Sequence, residues 1–374
     1  MLIQNACLYD MAGLWGEKRD IRVENGVIAA VAETLPALPG EECFDAAGRI
    51  VMPGLIDAHS EVGLASQVFR FERNDADEDT DPVQLTLRAV DAVNFADEGF
   101  EMLRTGGVTT AVTGPGSKEV IGGSFTAVKT GGSRIADRIL KEECAFAVSL
   151  TGAPRSAFGG KNKAPVTRMA SAALVRENLR KARFYKEKTE SGKGEFQLGL
   201  ESFSRVLDGM PVKFTALATS DIRDAVRIAE EFGLNYTVDS AYDGVKMFPE
   251  LLAHGSRVVL GTLYGGGQNL DNLERKLENG PLWEKSGVDF CLNVGHPGLN
   301  GSLVLPYLAL LHKFGMSREA ILEGVTIKAA RLCGIDGRVG SLEAGKDADL
   351  LVLSGDPLDY YTDIDMMMIG GEIL

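Results

Sequence analysis

Residues 2–9 alternate apolar and polar side chains, the two-residue period of a strand with one buried face. Two further runs, Ile21-Arg22-Val23-Glu24 and Val27-Ile28-Ala29-Ala30-Val31, flank Asn25-Gly26. Asn-Gly between apolar runs predicts a tight hairpin, because both residues accept positive φ. A short apolar strand, Ile50-Val51-Met52, then meets a Pro53-Gly54 break, and Leu55-Ile56 leads into Asp57-Ala58-His59-Ser60-Glu61. Strand alternation puts Asp57, His59 and Glu61 on one face. Polar groups so placed at a strand's end mark either a site or a strand passing into a loop.

An acidic stretch, Asn74-Asp75-Ala76-Asp77-Glu78-Asp79-Thr80-Asp81-Pro82, reads as a solvated loop or a weak cation site. Residues 95–104 predict a short helix ended by Gly106-Gly107, and residues 108–112 a β-branched strand. Gly114-Pro115-Gly116 and Gly122-Gly123 read as backbone turns; no Gly-Lys-Ser/Thr makes them a phosphate loop. Residues 145–150 predict a buried strand and residues 166–188 an amphipathic helix with Met169, Ala173, Leu174 and Leu179 on its apolar face.

From Pro211 the pattern repeats. Strands at 212–217, 236–239, 257–260 and 289–294 alternate with helices at 221–232, 243–254 and 270–277, and helices at 302–314 and 317–334 follow. This alternation predicts parallel β/α units and favours a closed α/β barrel, a (β/α)8 TIM barrel, over an open sheet. No Gly-x-Gly-x-x-Gly opens a helix after a strand, which disfavours a Rossmann sheet.

The chain has 374 residues, 45% hydrophobic and 25% charged, enough for one large barrel and a smaller companion domain. No apolar run is long enough to span a bilayer, and residues 1–10 lack a basic stretch before an apolar core, so no signal peptide is expected. The formal charge of −14 argues against nucleic-acid and anionic-membrane partners. Five scattered cysteines (Cys7, Cys43, Cys144, Cys291, Cys333) without Cys-x-x-Cys predict a reducing cytoplasm and no cysteine metal site.

The Pro53-Gly54-Leu55-Ile56-Asp57-Ala58-His59-Ser60-Glu61 stretch resembles the first barrel strand of the amidohydrolase superfamily, Pro-Gly-Leu/Phe-Ile-Asp-x-His-x-His. Near the C-terminus, Gly340-Ser341-Leu342-Glu343-Ala344-Gly345-Lys346-Asp347-Ala348-Asp349 is similar to that superfamily's Gly-Ser-Leu-x-x-Gly-Lys-x-Ala-Asp. The acidic stretch also resembles one of its subgroups, which implies a position over the barrel mouth. The resemblance, to imidazolonepropionase-like and dihydroorotase-like members, covers nearly the whole chain. It implies a composite β-sandwich of residues 1–51 plus 340–374 beside an amidohydrolase-like barrel of residues 52–339. It also implies a divalent metal, zinc or similar, that activates water for hydrolysis of C–N bonds in cyclic amides.

The implied ligand positions are degenerate. The first strand keeps His59 but has Glu61 where the pattern has its second histidine. The fifth strand, Lys-Val-His-Ala-His in the subgroup, is Lys213-Phe214-Thr215-Ala216-Leu217 here. The sixth strand's Asp-His is Asp239-Ser240, and the eighth strand's Thr-Asp-His-Pro is Val294-Gly295-His296-Pro297. A glutamate of the subgroup falls on Gly152. A weak site at His59 and Glu61 remains open, since a carboxylate can bind zinc. Thr215, Asp239, Ser240, Gly295 and His296 are expected to line the barrel mouth.

Only four histidines occur (His59, His254, His296, His312), a scarcity that warns against the histidine-rich binuclear site that the resemblance implies. The expectation is therefore a family member with its metal site largely lost, which binds a small molecule or pairs with another subunit and hydrolyses little or nothing. The alternative is a hydrolase of non-peptide C–N bonds with an unusual mononuclear metal. A homo-oligomer is compatible with either. A Ser-His-Asp hydrolase is disfavoured, as no Gly-x-Ser-x-Gly occurs. Substrate and catalytic residues are not specified.

Overall fold

The computed structural model describes residues 1–66, 74–267 and 270–374. The first strands are β1 (Leu2–Tyr9), β2 (Trp15–Glu24), β3 (Val27–Ala32), β4 (Cys43–Asp45) and β5 (Ile50–Pro53). Asn25 and Gly26 both have positive φ, 50° and 82°, so β2 and β3 form the hairpin that their sequence predicts. The barrel strands follow: β6 (Leu55–Ser60), β7 (Val108–Thr113), β8 (Ile121–Lys129), β9 (Ile139–Ser149), β10 (Val212–Ala216), β11 (Tyr236–Ser240), β12 (Arg257–Leu260) and β13 (Asp289–Leu292). The chain ends with β14 (Leu350–Leu353), β15 (Ile364–Ile369) and β16 (Glu372–Ile373).

Two eight-stranded sheets organise these elements. One runs β16-β15-β14-β5-β1-β2-β3, with β4 paired to β1, so both chain termini share it. The other runs from β13 down to β6 in order and is a nearly closed, TIM-like barrel sheet. Strand β6 follows β5 after the single residue Gly54. A Cβ there would stand 2.1 Å from the Thr109 side chain, which explains the glycine at this junction.

The strict strand–helix repeat is broken near its start. Strand β8 is antiparallel to both β7 and β9, whereas the remaining barrel pairs are parallel. Residues 114–120 are too few for the crossover that a parallel return requires. Gly122 and Gly123, expected in a turn, lie inside this strand. A Cβ on Gly123 would stand 2.3 Å from the Leu87 carbonyl oxygen.

Several predicted helices are shortened. Residues 270–277 form no helix; a single 3-10 turn, Leu277–Asn279, precedes helix Gly280–Lys285, with Pro281 in its first turn. The span 243–254 divides into a 3-10 turn, Tyr242–Lys246, and helix Phe248–Ala253, again with proline at its start. The span 317–334 divides into helices Arg318–Gly324 and Ile327–Cys333. The long amphipathic helix is present as Arg168–Glu190, capped by the Thr167 hydroxyl.

A cluster of Ile56, Ala58, Val112, Phe125, Cys144, Val259 and Cys291 from the barrel strands packs on Ala329, Ala330 and Cys333 of the last helix. Residues from both termini, among them Ile3, Leu8, Ile21, Val51, Leu350 and Met368, form a separate core. The Gly340–Asp349 motif ties this terminal sheet to the barrel. Lys129 Nζ on β8 lies 2.6 Å from Asp347 and 2.7 Å from Asp349, all three side chains being buried. Asp349 also accepts the Gly370 N–H at 2.7 Å. The motif's carboxylates are thus structural anchors.

Candidate functional site

Barrel enzymes carry their chemistry at the C-terminal ends of the strands. At that end of β6, His59 Nδ1 lies 2.7 Å from Asp239 Oδ2 on β11. The same oxygen lies 2.6 Å from Lys213 Nζ on β10. Asp239 Oδ1 accepts the Thr237 hydroxyl at 2.6 Å. Asp239 and Lys213 are 0% and 4% exposed, whereas the His59 side chain keeps 16%. Burial opposes charge on both Asp239 and Lys213, yet their mutual attraction wins. The carboxyl is held below its usual range and the ammonium above its own.

His59 is fixed from three further sides. Its ring meets Phe125 edge-on at 5.0 Å between centroids. Its backbone N–H donates to Asn293 Oδ1, and its carbonyl accepts from Asn293 Nδ2, both at 2.9 Å. Asp57 faces the same seam, with Oδ1 accepting the Gly295 N–H at 2.9 Å and Oδ2 the His296 N–H at 3.1 Å.

The positions around His59 offer weak ligands. Thr215 stands directly across the ladder from Asp239, and Ala216 across from Ser240. Ser240 and Ala241 have φ of 73° and 41°, a left-handed turn at a strand end that side chains rarely adopt. Gly295 has φ of 72° and contributes no side chain. Among the described residues, no group of three or more His, Cys, Asp or Glu side chains is arranged to hold a metal ion.

The Glu61 N–H donates to the His296 carbonyl at 2.9 Å, and Glu61 Oε1 lies 3.4 Å from where a Cβ on Gly116 would be. The His296 ring is 1% exposed and turns toward helix Glu98–Thr105, with Nε2 2.6 Å from a Cβ position on Gly99. Neither ring nitrogen has a hydrogen-bond partner among the described residues, and burial pushes this imidazole down to about 4. His59 and Asp239 therefore meet, while the His296 imidazole packs elsewhere. Gly152 opens helix Gly152–Gly159, and a Cβ on it would lie 3.3 Å from Asp271.

The acidic stretch packs against the connection that follows β7. The Gly116 N–H donates to the Ala76 carbonyl at 2.8 Å, and Lys118 pairs with Asp77 at 3.0 Å. Lys161 holds Asp79 at 2.9 Å. Glu119 in this connection is 2% exposed, and neither carboxyl oxygen has a hydrogen-bond partner among the described residues.

The model of the amidohydrolase family matches residues 183–374. A solved amidohydrolase from Thermotoga maritima MSB8 superposes over 100% of this chain and 99% of its own, with a TM-score of 0.95 and 30% identity. The chain belongs to the amidohydrolase family. Among curated amidohydrolase relatives, amidohydrolase tasK of Hapsidospora irregularis is 25% identical over 91% of this chain, which spans only 38% of that protein. An imidazolonepropionase of Mesorhizobium japonicum is 27% identical over 93% of this chain and 90% of its own length. Sequence reasoning toward the family's metal passed over Lys213 as a site residue. The signal was a lysine at an interior strand position two residues before Thr215, where only a buried partner makes its charge tolerable.

Proposed function

We propose that this amidohydrolase binds a small cyclic amide or imide at the barrel mouth and carries out little or no hydrolysis by a metal-bound water. One observation supports the reading above the others. His59 is locked onto a buried Asp239–Lys213 pair, while the positions beside it are Thr215, Ser240 and Gly295. Of the ligand positions that the family resemblance implies, His59 is kept, Glu61 is a carboxylate, and Thr215, Ser240 and Gly295 offer two hydroxyls and no side chain. The donors present do not fit a binuclear centre, because hydroxyls are weak zinc ligands and the His296 ring packs on Gly99.

The relative named imidazolonepropionase supports the cyclic-amide ligand class. The single sheet shared by both termini, with a core of its own, supports a sandwich of residues 1–51 plus 340–374 beside a barrel of residues 52–339. The five free cysteines support a reducing, cytoplasmic setting, and the negative charge supports the absence of nucleic-acid and membrane partners. No helix among the described residues is long and apolar enough to cross a membrane. A homo-oligomer stays within the proposal.

The deciding experiment purifies the protein with added zinc or manganese, measures bound metal, and assays cyclic amides and imides. Substoichiometric metal and no metal-dependent turnover support the proposal. About two ions per chain with metal-dependent turnover would overturn it.

A further inference from the structure

We infer that the outer face of helix Arg168–Glu190 pairs antiparallel with the same face of a second copy of this chain, across a two-fold axis. The inner side of this helix is buried, through Val175, Asn178, Leu179, Ala182 and Tyr185. The outer side carries Glu177, Lys181, Phe184 and Lys188, all exposed and spaced by four, three and four residues. That is the spacing of a seam that a neighbouring helix covers. Phe184 is 58% exposed, and Phe196 and Leu198 in the segment that follows are 75% and 58% exposed. A groove of about 510 Å³ runs between the helix and that segment, lined by Lys181, Phe184, Lys188, Lys193 and Leu200. Single exposed apolar residues are ordinary, but three of them beside a groove mark a surface that something covers.

The charge pattern selects a second copy as the occupant. With the two-fold axis between Lys181 and Phe184, each Lys181 faces the partner's Phe184, and each Glu177 faces the partner's Lys188. An ammonium over an aromatic ring and an ion pair are both attractive, and the symmetry makes each contact twice. The groove beside Lys181 then receives the partner's Phe184. The other cations of the helix are largely occupied within their own chain: Arg176 and Arg180 by Glu231, Lys186 by Asp208. Glu177 holds Lys181 at 2.6 Å. Lys188 instead lies over its own Phe184 ring, 4.6 Å from the centroid, and has no carboxylate partner among the described residues.

The exposed area suits a dimer that dissociates on dilution. Full burial of an aromatic side chain removes about 150–250 Å², so Phe184, Phe196 and Leu198 leave roughly 300–450 Å² of apolar surface on each copy. Two copies present roughly 600–900 Å², the apolar share of an interface at the lower end of the specific class, about 1,200 Å².

The test is sedimentation velocity of the full chain at about 1 to 100 µM, where an interface of this size should exchange between monomer and dimer. Phe184→Lys sets two ammoniums against each other and should weaken association at least about tenfold. Glu177→Lys and Lys188→Glu should each weaken it, and both together should return it to within about threefold of the parent. The single Glu177→Lys and the double variant both lose the Glu177–Lys181 pair within the helix, so the recovery isolates pairing between copies. Mixed in equal amounts, the two single variants should associate with each other more tightly than either does with itself. Circular dichroism and the melting temperature confirm that each variant is folded, as the exposure of all three positions predicts. A parent that stays monomeric across that range, leaving the face to a different partner, would overturn the inference. So would a dimer that Phe184→Lys leaves intact, or a double variant that recovers nothing. Metal uptake at the mouth is measured separately, so failure here leaves the functional reading untouched.

Discussion

The Asn293 carboxamide takes both backbone groups of His59, its Oδ1 accepting the N–H and its Nδ2 donating to the carbonyl, each at 2.9 Å. The barrel sheet runs from β6 to β13, and its path does not pair those two end strands. A side chain thus supplies across the seam what a ladder supplies elsewhere. The closure falls at His59, so the device that joins the sheet's ends also positions the imidazole.

Asn293→Ala should therefore cost about 2 kcal/mol, because it deletes two hydrogen bonds and strands a partly buried N–H and C=O. Urea denaturation measures the loss. A variant as stable as the parent would show that the seam is held by other contacts.

Lys213→Met should destabilise by about 3–5 kcal/mol, since it leaves Asp239 charged and buried without its cation. Lys213→Met with Asp239→Asn should recover part of that cost, because the pair's charges vanish together. Denaturation of the two single variants and the double variant gives the coupling. Additive losses would mean that the two residues act independently.

Burial pushes the Glu119 carboxyl up from 4.5 to about 7, with Asp77 adding to the rise. A raised carboxyl favours the fold while protonated. Its contribution is full below about pH 4.5 and is lost as pH climbs through about 7. At about 1.4 kcal/mol per pKa unit this amounts to about 3 kcal/mol. Glu119→Gln should lack that dependence, so its stability relative to the parent should grow between pH 4.5 and 8. A constant difference across that range would remove the assignment.

Glu61→His, Thr215→His, Ser240→His and Gly295→Asp together should raise zinc affinity at least about tenfold, because the Asp239–Lys213–His59 support is in place. Gly295→Asp carries a cost of about 1 kcal/mol, as its φ is 72° and its Cβ would lie 3.1 Å from Asn293 Nδ2. Calorimetric titration of parent and variant is the measurement. No gain would show that the pocket has been rebuilt beyond its ligands.

Local pattern alone determined much of the architecture. Asn25-Gly26 demands positive φ twice, and the hairpin follows whatever surrounds it. Residues 257–260, with buried Val258 and Val259 at their centre, are a strand as their sequence predicts. The two family motifs located the barrel's first strand and the terminal segment that anchors to it. Sequence failed where the controlling contact is remote. Gly122 and Gly123 look like a turn, yet they sit in β8, where a Cβ would meet Pro115 at 2.8 Å and the Leu87 carbonyl oxygen at 2.3 Å, so remote packing rather than a turn accounts for the glycines. The span 270–277 has an acceptable helical composition, but Pro281 starts the helix later.

The site divides along the same line. His59 was legible from its motif as a strand-end residue, as were Thr215 and Ser240 from theirs. That His59 would be held by a residue 180 positions away, or that the His296 ring would turn to Gly99, was not. Curling the sheet brings β6, β10 and β11 side by side, and removing water makes the Lys213–Asp239 attraction strong enough to order the imidazole. Residue type set which groups were available; closure of the barrel decided which of them meet.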